Sequence, residues 1–419
     1  VRRAFAALAL VVLVLSLGGC AQKSTSVSGG ATATETVNPL HQPGNENSPF
    51  KMVGKDKVYL HAAKTYDPAK FPKTAMTGEP SNIPFFKPTK DEGIVNRDYP
   101  SFDKKTFKFL ALPTAAIPPQ DYYMFPKNGG TLNAALKGTG YKAADIIDTG
   151  HIKILPNLYT GYYDFAWVPL AVMTEYWSGN ESMNQELWRD GNDYVVIGSS
   201  TDGDSSLIAP PDVTDLKQLA GNAVGIMNVS FNTEALFNKK LNTVGMATES
   251  AGGTVKIETG TPGYVMNDVV GGKLNAVFSW SVYTRELLGQ QHFHELVKWQ
   301  DLGYGNKVTN VVLVVRKDIL AKHPGIVQKV VQLNYDATQQ ALTVGDYAKP
   351  GAKRYQDWIN TYLGVPQRVS DLGVPNLDPT VNEPMLRDVY DYMVKCGYFK
   401  TPYKFGELVN TSFQDKIAK

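Results

Sequence analysis

The feature that most restricts this chain is the alternation of short apolar runs with amphipathic helical segments from Thr106 onward. Phe107 to Leu112 reads as a strand closed by a proline-bounded turn, and Tyr163 to Trp167 as an apolar strand after a glycine turn. Further strands are expected at Tyr194 to Ile197, Ala223 to Met227, Thr254 to Glu258, Asn275 to Phe278, Leu296 to Trp299 and Val308 to Val315. Helices lie between them. One covers Leu132 to Leu136, one starts near Asn232, and one opens on Thr261-Pro262, an N-cap followed by a first-turn proline, and runs to Gly271-Gly272. Another opens at Pro324 and keeps Ile326, Val327, Val330, Val331 and Leu333 on one face. Strands and helices taking turns in this way predict an α/β fold of mainly parallel sheets with helices on both faces.

The first 105 residues are of a different kind. Arg2-Arg3, the apolar run Ala4 to Leu15 and Leu17-Gly18-Gly19-Cys20 have the order of a secretory signal, too short for a comfortable membrane span. Leu-Gly-Gly-Cys resembles a lipoprotein lipobox, which implies removal of residues 1–19 and lipidation of Cys20. An ordinary signal with an incidental cysteine is the alternative. Acyl chains stabilise membrane attachment by about 0.8 kcal/mol per buried CH₂. Residues 20–49, rich in Ser, Thr, Gly and Asn, read as a flexible tether. Residues 50–105 read as an extended, proline-rich wrapping segment with a short strand at Lys57 to Leu60. The roughly 370 residues beyond the tether exceed one ordinary core and suit two domains.

Charge and cysteine usage remove some function classes. Of 42 basic and 40 acidic residues, only Arg2 and Arg3 fall within residues 1–19, so the remainder is formally neutral. No basic face is implied, and nucleic acid is not expected as a partner. With Cys20 acylated, Cys396 has no disulfide partner. It lies in an apolar helical spacing with Met385, Leu386, Val389, Tyr390, Met393 and Val394 that Gly397 ends, and reads as a packed core thiol.

Catalytic constellations are weak. Gly138-Thr139-Gly140-Tyr141-Lys142-Ala143 has the spacing of a dinucleotide loop but follows a helical segment rather than a strand. Gly198-Ser199-Ser200-Thr201-Asp202 has Asp where a hydrolase elbow needs its second Gly. His292-Phe293-His294-Glu295 offers two histidines, which do not complete a zinc site, and reads as a polar helix end. Asp202-Gly203-Asp204 reads as a solvated turn. No cofactor, metal or catalytic residue is assigned.

Four segments, in order, carry a family resemblance. Leu158 to Ala166 is similar to a Leu-x-x-Gly-x-x-Asp-hydrophobic-Ala element, and Asp215-Leu216-Lys217 to Ile226 to the helix and strand that open a second lobe. Val270-Gly271-Gly272 to Trp280 resembles the corresponding lobe-two element, and Val312 to Leu320 with His323-Pro324 the return strand and following helix. Together they resemble the ABC-transporter substrate-binding lipoproteins of the nitrate, sulfonate, taurine and thiamine-precursor group. Asn222 and Asn275 stand where that group has Lys and Asp, and Ser281-Val282 where it has an acid and a proline.

The resemblance implies a two-lobed type II periplasmic-binding fold with two crossing strands. Lobe one would comprise 106–198 plus 312–419, and lobe two 199–311. It also implies an extracytoplasmic monomer that captures a small organic or oxyanionic solute, passes it to a permease and catalyses nothing. A sensory lipoprotein, or an extracytoplasmic enzyme on the same scaffold, stays open as an alternative.

In open parallel sheets ligands bind beyond the carboxyl ends of strands, where helix N-termini favour anions. The strand-to-helix junctions nominate Thr114, Trp167, Ser230, Asn232, Thr233, Ser279, Trp280 and Tyr283, and the crossing segment adds Ser199 and Ser200. Trp167 and Trp280 are read both as core residues and as cleft walls. None of the junctions carries Arg or Lys. Trp and Tyr offer flat apolar area with a polar edge, so the expected ligand is organic with a modest anionic or polar group.

Overall fold

The computed structural model describes the backbone of residues 50–53 and 56–59, and residues 104–418 apart from 112–123, 125–130, 148–150, 160, 180–192, 204, 261, 281–283, 285–286, 289–292, 345–375 and 400–402. Strands β1 (Phe50–Val53) and β2 (Asp56–Tyr59) form an antiparallel pair. The predicted signal, Cys20, the tether and Thr114 lie outside the described residues, as does Tyr283.

The remaining strands form two sheets. The six-stranded sheet contains β3 (Thr106–Ala111), β4 (Lys142–Ile147), β5 (Phe165–Pro169), β6 (Tyr194–Asp202), β12 (Thr309–Arg316) and β13 (Asn376–Leu377), in the order β13-β6-β12-β5-β3-β4. The five-stranded sheet contains β7 (Ser205–Ala209), β8 (Ala223–Met227), β9 (Lys256–Gly260), β10 (Ala276–Trp280) and β11 (His294–Val297), in the order β11-β7-β10-β8-β9. Each sheet has a parallel block, β5-β3-β4 in one and β10-β8-β9 in the other. Their other pairings are antiparallel, so the parallel character is concentrated in those three-strand blocks.

Helices follow the strands as the alternation predicts. They are α1 (Leu132–Ala135), α2 (His151–Tyr159), α3 (Leu170–Ser178), α4 (Phe231–Asn242), α5 (Pro262–Val270), α6 (Lys317–Lys322), α7 (Pro324–Val344), α8 (Glu383–Lys395) and α9 (Phe405–Leu408). None of the described helices is long and apolar enough to cross a membrane. Pro324 opens α7, where its missing N–H is not needed. Gly397, with φ +68, follows the C-cap of α8, and Cys396 beside it is 2% exposed.

Three local readings are corrected. Tyr194 to Ile197 is only the first half of β6, which runs through Ser199 and Ser200 to Asp202 because β12 pairs with it that far. His294 and Glu295 belong to edge strand β11, not a helix end; half-exposed edge positions accept polar side chains, which imitates a solvated terminus. Asp202 is 2% exposed rather than solvated, since β12 and β13 flank it.

At the amino end of β3 and β5, Arg316 Nη1 lies 2.9 Å from Asp164 Oδ1, and Asp164 Oδ2 accepts the Lys108 amide at 2.7 Å. Burial raises the Asp164 pKa against this pairing. The cluster ties β3, β5 and β12 together at the end of the sheet away from the strand-to-helix junctions.

Candidate functional site

The junction between β8 and α4 is the most fully built of those nominated. The chain leaves β8 through Asn228, whose φ of +58 is the one left-handed backbone among the described non-glycine residues. Asn tolerates that conformation better than most side chains, and the Asn228 amide donates to the Gly260 carbonyl at 2.7 Å. The sharp turn brings Ser230 to the N-cap of α4, and the first helical bond runs from Glu234 N to Ser230 O at 3.1 Å.

No side chain caps the free N–H groups of this turn. Ser230 Oγ instead donates to Asn232 Oδ1 at 2.9 Å and lies 2.7 Å from Thr233 Oγ1. Thr174 Oγ1, which donates to the Ala171 carbonyl at 2.9 Å, also lies 3.4 Å from Asn232 Oδ1. Thr174 belongs to α3, at the end of β5 in the other sheet, so this contact spans the two sheets. Ser230 and Thr174 engage Oδ1, so the Asn232 Nδ2 group is the donor end of this side chain. Ser230, Asn232 and Thr233 are each less than 9% exposed. The product is a buried turn with three backbone donors, one amide donor and the positive end of a twelve-residue helix. Such a set suits an oxyanion or a polar oxygen.

The crossing strand supplies a second group. Ser199 Oγ donates to the Val311 carbonyl at 2.8 Å, and Ser199 O accepts from Asn334 Nδ2 at 2.8 Å. Asn334 Oδ1 in turn accepts from Trp167 Nε1 at 3.2 Å, while the Trp167 ring packs 4.6 Å from Phe109. Of the two readings of Trp167, the structure supports core packing: it is fully buried and its polar edge is engaged by α7.

Thr201 Oγ1, Ser279 Oγ and both Asp202 carboxylate oxygens are buried without a hydrogen-bond partner among the described residues. Burial, followed by repulsion from Asp378, pushes the Asp202 pKa up to about 8, with Lys307 opposing. Asp378 is already satisfied by Thr380 N at 2.9 Å and Lys307 Nζ at 3.1 Å.

The sequence-nominated residues therefore separate. Ser230, Asn232 and Thr233 converge on one turn, whereas Ser199 and Trp167 share a network through Asn334. Ser200 is buried on β6 and Ser279 on β10, in different sheets. Trp280 ends β10, with its side chain outside the described residues. Sequence reasoning missed Thr174, Asp202 and Asn334. Asn334 carried a signal, since it continues the Val327, Val330 and Val331 face of α7 as a polar residue in an apolar stripe.

No sequence-family model matches the chain, and no curated protein matches it significantly. Solved structures do resemble it. The periplasmic aliphatic sulphonate binding protein SsuA of Escherichia coli is 14% identical with a TM-score of 0.55, the match covering 74% of this chain and 93% of that one. The alkanesulfonate-binding SsuA of Xanthomonas axonopodis pv. citri, bound to MOPS, is 12% identical with a TM-score of 0.52, over 74% and 100%. The ligand-binding component of an ABC-type import system from Staphylococcus aureus, with zinc bound, is 12% identical with a TM-score of 0.52, over 75% and 99%. At these identities the likeness shows the fold. The chain has the two-lobed periplasmic-binding architecture, with β6 and β12 at the crossover.

Proposed function

We propose that this chain is the extracytoplasmic solute-binding lipoprotein of an ABC importer, holding a small organic or oxyanionic solute at the first turn of α4. The observation that carries the reading is the buried donor turn at Ser230, Asn232 and Thr233, closed from the other sheet by Thr174. The fold shared with sulfonate-binding proteins supports it. Residues 106–198 plus 312–419 would form one lobe and 199–311 the other, the whole held at the membrane through Cys20 and acting as a monomer on a permease. Ligand contacts from both lobes would favour the closed state by differential affinity.

The ligand set proposed for direct contact is Asn232 with the backbone of Phe231 to Thr233, joined by the hydroxyls of Thr114 and Ser279, the buried Ser200, and the aromatic rings of Trp280 and Tyr283. Trp167 and Ser199 support it from the core. The turn carries no Lys or Arg, which favours a ligand whose polar group is modest and whose body is apolar or flat.

A thermal-shift screen over alkanesulfonates, taurine, nitrate, aromatic carboxylates and pyrimidines tests the reading, since a solute bound by the native state raises the melting temperature. The expected result is a rise with one class and recovery of that solute chemically unaltered. Conversion of the solute during incubation would instead establish an enzyme.

A further inference from the structure

The two sheets do not have separate main cores. One contiguous apolar cluster includes Phe109 and Tyr176 on one side, Phe231 and Phe278 on the other, and Val389 and Met393 of α8. Helix α8 follows β13 of the six-stranded sheet, yet it also packs against α4.

Its contacts to α4 are buried and specific. Glu234, 3% exposed in the second half of the first turn, accepts through Oε1 from Tyr392 OH and Tyr398 OH, each at 2.9 Å. Tyr392 OH also lies 2.9 Å from Thr248 Oγ1, and the Tyr398 ring packs 4.4 Å from that of Phe231. At the exposed edge Lys239 Nζ meets Asp388 Oδ2 at 2.6 Å, and Tyr304 OH donates to the same carboxylate. On its other side α8 is tied to the six-stranded sheet. The Asn382 amide donates to Thr309 Oγ1 of β12 at 3.0 Å, and Thr411 Oγ1 donates to Glu383 at 2.7 Å. Tyr390 OH donates to the Tyr403 carbonyl, and further along the same segment Val409 bridges to Val196 of β6.

A pair of crossing strands permits one sheet to swing against the other. A helix fastened to both sides adds a third connection that a swing must break or carry along. Glu234 makes the break costly, because a carboxylate sealed from water needs the two phenol donors. Apolar packing of Phe231 on Tyr398 adds to this, and both contacts run through the same Tyr398 side chain.

We infer that α8 is an interlobe clamp, fixed on α4 by Glu234, Tyr392 and Tyr398, so that α4 and α8 open together as one unit distinct from α5. The clamp does not depend on the identity of any solute. Amide hydrogen exchange on the ligand-free protein tests it with the Tyr392→Phe/Tyr398→Phe variant, which deletes both donors and keeps the rings. In the unaltered protein, residues 231–242 and 383–395 should exchange at a common rate, more slowly than 262–270. In the variant both segments should accelerate together by about tenfold or more, the scale of lost hydrogen bonds to a charged group, with 262–270 unchanged. If the variant does not fold, Glu234→Leu, which removes the acceptor while keeping similar bulk, should give the same joint acceleration. Acceleration of α8 without α4, or no acceleration of either, would overturn the clamp.

Discussion

Helices α4 and α5 follow adjacent parallel strands of the same sheet, β8 and β9, and their environments diverge from the first turn. Every residue of α4 from Phe231 to Asn238 is buried, whereas α5 leaves Tyr264 62% and Val270 47% exposed. The cores differ likewise. Phe231, Leu236 and Phe237 belong to the cluster shared by both sheets, while Val265 and Val269 of α5 belong to a small separate one with Ile208, Val277 and Leu287. Two helices with the same local origin thus have different tasks. Helix α5 covers one face of its own sheet, and α4 presents its donor turn where α3 and α8 of the other side reach it.

The largest expected effect concerns packing. Phe231→Ala should destabilise the protein by about 3–5 kcal/mol, the usual range for deleting a buried phenylalanine ring. Tyr264→Ala on exposed α5 should stay within about 0.5 kcal/mol. Urea midpoints measure both, and equal losses would break the comparison.

A pH effect should follow in size. The Asp202 carboxyl lies beside the crossover with its pKa pushed up to about 8 by burial and Asp378, against an ordinary value of 3.8. The folded state then binds the proton more tightly than the unfolded one, so the contribution of this group to stability is full below about pH 4 and is lost as pH rises towards 8. Asp202→Asn should remove a few kcal/mol of that decline, on the order of 1.4 kcal/mol per pH unit of the window. Melting curves from pH 5 to 9 that stay parallel for variant and parent would contradict the assignment.

The smallest effect lies on the wet edge of α4. Lys239 and Asp388 are 43% and 50% exposed, so Lys239→Ala should cost about 0.2–1 kcal/mol and less in high salt. A larger loss would mean that the clamp is held at its rim rather than at Glu234.

How much of this was legible in the sequence follows from the same contrast. Strands β3, β8, β10 and β12 were readable because their apolar runs sit between turn residues, and α5 and α7 because Pro262 and Pro324 mark their starts. Helix α3 was missed for a physical reason. It is buried from Val172 to Ser178, polar Thr174, Glu175 and Ser178 included, so no solvated face opposes an apolar one and no helical stripe stands out. Strand β7 was missed because Ser205 and Ser206 resemble a loop. At the site, Ser230, Asn232 and Thr233 announced themselves as a helix start. Thr174 and Glu234 did not, since Thr174 meets Asn232 across 58 residues of chain and Glu234 meets Tyr392 across 158. Asp202 was misread because Asp-Gly-Asp has the composition of a turn whatever flanks it.

The central claim is that the first turn of α4 holds the solute, and calorimetric affinity tests it most directly, using the solute that gives the largest thermal shift. Asn232→Ala removes the side-chain amide donor of the turn, and Asn267→Ala alters an exposed position on α5 as the control. The account predicts that Asn232→Ala raises the dissociation constant by about tenfold or more, the equivalent of about 1.4 kcal/mol, with Asn267→Ala unchanged. An Asn232→Ala variant that is folded and binds as tightly as the parent would contradict it.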